Sequence, residues 1–363
     1  MLSLVFALLL DAQGVTVIKS LRPRVTITLE EGNAGYARDS RFEYLATSDG
    51  LYRAERLAGG AIELMPAAGT LLNDVAAAGD ALYVLRGREY FGSWPEPTLL
   101  RSRDHGVTFE SVSEGLLDCS LAPRYPCEYV VPHDIRFGDG RVFLEASGNL
   151  LASADEGATW SMLVGASSGR PEPMSCPLVF ERIGTTMLFG TECPLDDAWI
   201  AGGTLRPDLL GWSGEWRKME TPEIENRNVQ FIRHLGGGVV LASIEGGLLR
   251  STDGGATFHW VIHYPLDNPA RYPYAGHLLV SSRHPGLMLL GGFDKKDGSG
   301  YLAVSTDGGE TWADSPLVGM AEVMLLAEDR EGRILVGLYE GTTFTLAEAV
   351  LGERGGKRRS VRR

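Results

Sequence analysis

Ser251-Thr252-Asp253-Gly254-Gly255-Ala256-Thr257-Phe258 is a phrase that the chain repeats. It returns as Ser305-Thr306-Asp307-Gly308-Gly309-Glu310-Thr311-Trp312. Looser copies keep Ser102, Asp104, Gly106, Thr108 and Phe109, and Ser153, Asp155, Gly157, Thr159 and Trp160. The shared pattern is Ser-x-Asp-x-Gly-x-Thr-aromatic. A recurring phrase of this kind marks stacked supersecondary units, each unable to bury its apolar faces alone.

The closing aromatics Phe109, Trp160, Phe258 and Trp312 stand 51, 98 and 54 residues apart. The middle gap holds two periods, so a worn copy is expected inside it. Leu210-Gly211-Trp212-Ser213-Gly214-Glu215-Trp216 keeps the closing aromatic and loses the aspartate. Another worn copy runs from Gly50-Leu51-Tyr52-Arg53 to Gly59-Gly60-Ala61-Ile62. Six units therefore close near 62, 109, 160, 216, 258 and 312.

The unit at 276–316 is the most legible. Strands are expected at His277–Ser281, Leu287–Leu290, Tyr301–Ser305 and Thr311-Trp312, joined by turn-forming residues. A seventh unit follows, with strands at Val323–Ala327, Ile334–Tyr339 and Thr342–Ala347, and stops one strand short. Val15–Ile18 and Val25–Leu29 read as strands interrupted by Arg22-Pro23-Arg24. The stretch Val25–Glu30 can complete the last sheet and remove its open edge. The expected fold is all-β: a seven-bladed β-propeller of four-stranded antiparallel blades. The alternative is six blades with an N-terminal appendage.

The phrase resembles the Asp-box, or BNR, repeat, and its copies cover nearly all of residues 36–350. In the turn from third to fourth strand, the aspartate can accept backbone N–H bonds. Glycine supplies positive φ, and the aromatic packs between sheets. These aspartates (Asp104, Asp155, Asp253 and Asp307) are read as structural. The resemblance implies a site on the opposite face, around the central channel. It extends to photosystem II stability and assembly factors, which act by binding another protein, and to sialidases, which share the fold. The sialidase pattern is poorly met: Arg22-Pro23-Arg24 lacks the middle residue of the Arg-Ile/Leu-Pro motif. Arg38, Arg227 and Arg283 have no local sequence that marks them as a triad.

Residues just ahead of each expected first strand, which should line the channel mouth, are candidate ligand-binding groups: Arg38 with Asp39, Asp74 with Asn73, His133 with Asp134, Arg227 with Asn228, His277 and Glu322. Loops after second strands add Tyr90, Trp94 and Trp199, since aromatics beside polar groups suit glycan or peptide grooves. The expected function is a non-catalytic exported propeller binding a protein or a glycan. The alternative is a glycoside hydrolase of sialidase type.

Composition narrows the partners. A net charge of −13 argues against nucleic acid. The basic run at 351–363 reads as a disordered tail. No metal-binding histidine cluster or Gly-rich phosphate loop is visible, so no cofactor or metal is expected. Residues 1–13 read as a signal peptide or an N-terminal strand, and 14–350 as one propeller, expected to be monomeric. No transmembrane helix is expected. The four cysteines, Cys119, Cys127, Cys176 and Cys193, form two local pairs. Oxidised, they imply an exported protein; reduced, a cytoplasmic one. Pairing within each local pair suits the hairpins, with cross-pairing left open.

Overall fold

A computed structural model describes residues 16–28, 34–57, 60–87, 98–118, 128–129, 131–146, 148–164, 178–191, 199–224 and 227–353. Among these residues the chain forms seven four-stranded antiparallel sheets in a ring, a seven-bladed β-propeller with no α-helix. A separate two-stranded pair joins Leu117–Asp118 to Glu128–Tyr129.

Each blade is a meander. The first strand lies innermost: Ala34–Arg38, Leu72–Ala78, Pro132–Gly138, Leu178–Ile183, Val229–Gly236, Pro273–Val280 and Glu322–Glu328 for blades 1 to 7. The middle strands read as unbroken apolar runs because both of their faces meet a neighbouring blade. In blade 2, Leu82, Tyr83, Val84 and Leu85 are all essentially inaccessible. Seven hydrophobic clusters fill the seven interfaces between blades. The closing aromatics sit where the repeat pattern placed them. Phe109 packs between blades 1 and 2, Trp160 between 2 and 3, Phe258 between 4 and 5, and Trp312 between 5 and 6.

Ring closure uses the N-terminal strand. Thr16–Thr28 pairs with Thr343–Glu353 and is the outer strand of blade 7. The Arg22-Pro23-Arg24 stretch does not divide it into two strands. The register instead shifts between Pro23 and Val25, a bulge that an edge strand tolerates because proline's missing N–H is not needed there. A one-residue shift exchanges the strand's faces. Ile18 and Leu21 accordingly pack toward blade 6, whereas Val25 and Ile27 pack toward blade 1.

The four repeat turns have one geometry. In the turn at 251–258, the Ser251 hydroxyl donates to Asp253 Oδ1 at 2.7 Å and accepts the Gly255 N–H at 2.9 Å. The Asp253 carboxylate accepts the Thr257 N–H at 2.9 Å and its hydroxyl at 2.7 Å. Corresponding bonds hold Asp104, Asp155 and Asp307. The residue after the aspartate is left-handed in every copy: His105 and Glu156 with φ of 60° and 58°, Gly254 and Gly308 with 76° and 77°. Blade 4 retains a turn aspartate after all. Asp208 accepts the Leu210 N–H at 3.0 Å, and Leu209 takes φ 62°. The chain then runs through Trp212 to Trp216, so the worn copy is a widened turn with its aspartate displaced toward the N-terminus.

Candidate functional site: the central channel

The inner strands converge on a polar channel. Its cavity, of about 450 Å³, is lined from all seven blades, with Tyr36, Asp74, Asp134, Arg136, Gln230 and His277 among the lining groups. A second cavity of about 520 Å³ shares Tyr36, Asp74, Asp134, Arg136 and Arg233 and extends to Arg38.

Local backbone geometry determines which residues face the axis. Register shifts occur between Leu72 and Asp74, Pro132 and Asp134, Val229 and Phe231, Tyr274 and His277, and Val323 and Leu325. Each is a bulge near the start of an inner strand, and a bulge re-aims side chains. Asn73, His133 and Gln230 occupy bulged positions and all line the cavity. Gly35 makes room beside them. A Cβ there would stand 2.1 Å from Asp74 Oδ1 and 2.9 Å from Asp74 Cα.

The charges inside are unevenly matched. Asp134 holds Arg136 through contacts of 2.8 and 3.0 Å. Arg233 lies 3.6 Å from Glu181, and His133 Nδ1 lies 3.6 Å from the fully buried Glu145. Asp74 accepts the Val75 N–H at 2.8 Å. Burial pushes the Asp74 carboxyl up to about 7; the Val75 N–H opposes this and the nearby Asp134 adds to it. Burial raises Glu181 to about 7 as well, against the attraction of Arg136. His133 and His277 are pushed down to about 4 by burial and are neutral at pH 7. Glu322, at the start of blade 7's inner strand, is raised by burial.

The other candidates take separate places. Arg38 ends its strand rather than preceding it, and donates to the Glu328 carbonyl at 3.4 Å at the far end of the channel. Asp39 lies in the adjoining turn, where it accepts the Arg41 and Phe42 N–H groups at 2.7 Å. Arg227 is 5% exposed. It donates to the Glu245 and Tyr264 carbonyls at 2.8 and 3.3 Å, beside the rings of Trp260 and Tyr272. Asn228 donates to Glu245 at 3.2 Å. Arg283 lies beside a repeat turn, donating to the Arg330 carbonyl at 3.4 Å. The three arginines considered as a triad thus occupy three different places. Trp199 stacks on Trp216 with centroids 5.9 Å apart and meets Phe189 edge-on, within the blade 4 aromatic cluster. Tyr90, Trp94 and the four cysteines lie outside the described residues.

Arg136, Glu145, Glu181, Gln230 and Arg233 were not singled out in the sequence. The signal of four of them is a charged or amide side chain inside an inner strand, where a wholly buried strand would be apolar; Glu145 sits in the second strand of blade 3, at Arg141–Ala146.

This architecture places the chain among seven-bladed propellers with a polar axial channel. No description of a protein family matches the sequence, and no curated protein matches it. Among solved structures, YCF48 from Cyanidioschyzon merolae is similar over 92% of this chain and 98% of its own, with 15% identity and a TM-score of 0.58. YCF48 bound to D1 peptide is similar over 92% of this chain and 99% of its own, with 17% identity and a TM-score of 0.56. A GH74 enzyme from Niastella koreensis matches 90% of this chain and 60% of its own, with 13% identity and a TM-score of 0.53. At these identities the likeness establishes the fold.

Proposed function

We propose that the chain is an Asp-box propeller that binds a polypeptide partner at the channel mouth opposite the repeat turns. One contrast carries this reading: the repeat-turn aspartates are saturated by their own turns, whereas Asp74, lining the channel, accepts a single backbone N–H. Beside it, the buried Gln230 Nε2 has no hydrogen-bond partner among the described residues. The structural likeness to YCF48 in complex with D1 peptide supports a protein ligand by analogy.

A peptide-display selection on the immobilised chain tests the reading. Selected peptides should lose binding to a variant whose mouth is blocked by Gly276→Trp and should retain binding to Asp253→Ala. Failure to select any peptide, or selection insensitive to the mouth variant, would overturn it. Glycan binding at the same mouth would appear as retention on a glycan array.

A second reading, glycoside hydrolysis, rests on two carboxyls, Asp74 and Asp134, lining one cavity, with burial raising Asp74 to about 7, the range of a general acid. Turnover of fluorogenic glycosides, lost in Asp74→Asn, would favour it over binding alone.

We further propose export of the chain with two local disulfides. The pairing proposed is the local one in the sequence, Cys119 with Cys127 and Cys176 with Cys193. Intact mass before and after reduction would test the bridges; four free thiols in native material would contradict them.

A further inference from the structure

We propose that the channel receives a basic side chain of the partner polypeptide, its ammonium or guanidinium seated by Asp74 and Asp134 and a neighbouring carbonyl oxygen accepting from Gln230. This rests on the polypeptide-binding reading above and specifies its chemistry.

Three observations converge. Asp74, Asp134 and Glu145 line the cavity against Arg136 and Arg233, with Glu181 just beneath. Asp134 is taken up by Arg136, Glu181 lies against Arg233 and Glu145 accepts the Gly148 N–H, which leaves Asp74 as the lining carboxyl held by a single backbone donor, the Val75 N–H. Second, Gln230 is only 8% exposed, lines this cavity, and keeps its amide nitrogen unpartnered among the described residues. A buried donor without an acceptor costs about 1–3 kcal/mol, so a ligand carbonyl that drew this amide toward the cavity would recover that cost. Third, the carboxylates are spread out. Among the described residues, the three ligand-type atoms that fall within 4.8 Å of one another belong to Glu43, Asp329 and Glu331. That set lies near the repeat turns and is held by Arg333 at 2.5 Å, Arg56 at 3.1 Å and the Leu57 N–H at 2.8 Å. Dispersed channel carboxylates suit an elongated organic cation with several donors better than a small metal ion. The space admits it, since about 450 Å³ equals roughly fifteen water volumes.

Binding should release protons. The titratable groups that line the two cavities with Asp74 are Tyr36 and Arg38 on blade 1, His133, Asp134, Arg136 and Glu145 on blade 3, Arg233 on blade 5 and His277 on blade 6, with Glu181 of blade 4 lying against Arg233. The two histidines stay neutral above about 4, so the carboxyl protons are the ones displaced near pH 7. With Asp74 near 7, its ionised fraction rises about tenfold from pH 6 to 8, and affinity for a cation should rise comparably.

The test is calorimetric titration of the full chain with Ac-Gly-Ser-X-Ser-Gly-NH₂, where X is Arg, Lys, norleucine or Glu, alongside spermidine. Arg or Lys peptides should bind, with affinity about tenfold higher at pH 8 than at pH 6 and lost in Asp74→Asn. Gln230→Leu should weaken the peptide and leave spermidine unchanged. Binding of spermidine alone would overturn the polypeptide source, and equal binding of the norleucine peptide would overturn the cation. Display-selected peptides that lack basic residues yet depend on the mouth would sink this inference while leaving the polypeptide reading intact.

Discussion

The repeat turns and the central channel use the same side chain in opposite ways. In the turns, Thr and Ser donors hold Asp104, Asp155 and Asp253 down at about 2. In the channel, burial with one backbone donor leaves Asp74 at about 7. The turn aspartates face solvent but have no unused hydrogen-bonding role. Asp74 is enclosed and only partly matched. A repeated aspartate is therefore a poor guide to function here, and the degree of satisfaction is a better one. The turn carboxylates are saturated by side-chain and backbone donors of their own turn, whereas Asp74 receives one backbone donor, the Val75 N–H, and is otherwise surrounded by strands distant in sequence.

The largest expected effect concerns the frame that both regions share. Deleting residues 1–28 removes the outer strand of blade 7 and uncovers clusters on two interfaces. Loss of the packing by Ile18, Leu21, Val25 and Ile27 should cost roughly 5 kcal/mol or more. Chemical denaturation would check it; an unchanged midpoint would show that the ring closes without this strand.

Two substitutions probe the channel side. Gly35→Ala drives a methyl group into Asp74, and the resulting overpacking should cost roughly 1–3 kcal/mol. Asp74→Asn should act in the other direction. Because the folded-state pKa is raised above 3.8, the native carboxyl loses stability as pH climbs from 3.8 through about 7. The amide avoids that loss, so the variant should be more stable than the parent by roughly 1–3 kcal/mol at pH 8 and equal to it near pH 4. Denaturation at both pH values measures the difference; destabilisation at pH 8 would place a needed charge there.

The smallest expected effect is in the turns. Asp253→Ala should cost about 1 kcal/mol at pH 7, since the lost bonds are solvent-exposed. The sign with pH is opposite to that of Asp74. A depressed pKa gives stability above 3.8 that is lost as pH falls toward about 2. Parent and variant should therefore converge in acid, and a constant gap would indicate packing rather than charge.

The frame was legible because its determinants are local. Each repeat turn is closed by residues within a few positions of one another, and the apolar strands between them have no other use. Counting Phe109, Trp160, Phe258 and Trp312 therefore counts blades. The missing strand was legible too, since an incomplete sheet must borrow one. Two frame details were less so. The proline at 23 looked like a break because its bulge is set by pairing with Thr343–Glu353, over three hundred residues away. Asp208 was overlooked because the widened turn separates it from Trp216.

The channel was only partly legible. Asp74, His133, Asp134 and His277 line the cavity, but from within the inner strands rather than ahead of them as their sequence positions suggest. Arg38, Arg227 and Trp199 were grouped with them by position alone. The structure instead places them at the far end of the axis, beneath Trp260 and Tyr272, and in the blade 4 aromatic cluster. The difference arises because bulges alter which residues face the axis, and because seven strands distant in sequence supply the neighbours.

The contrast between saturated and partly matched carboxylates is tested most directly by a carboxyl-carbon NMR titration with aspartate-labelled protein. Resonances assigned by single substitution should show Asp253 and Asp104 titrating near 2 and Asp74 near 7. Titration of all three near the ordinary value of 3.8 would contradict the account.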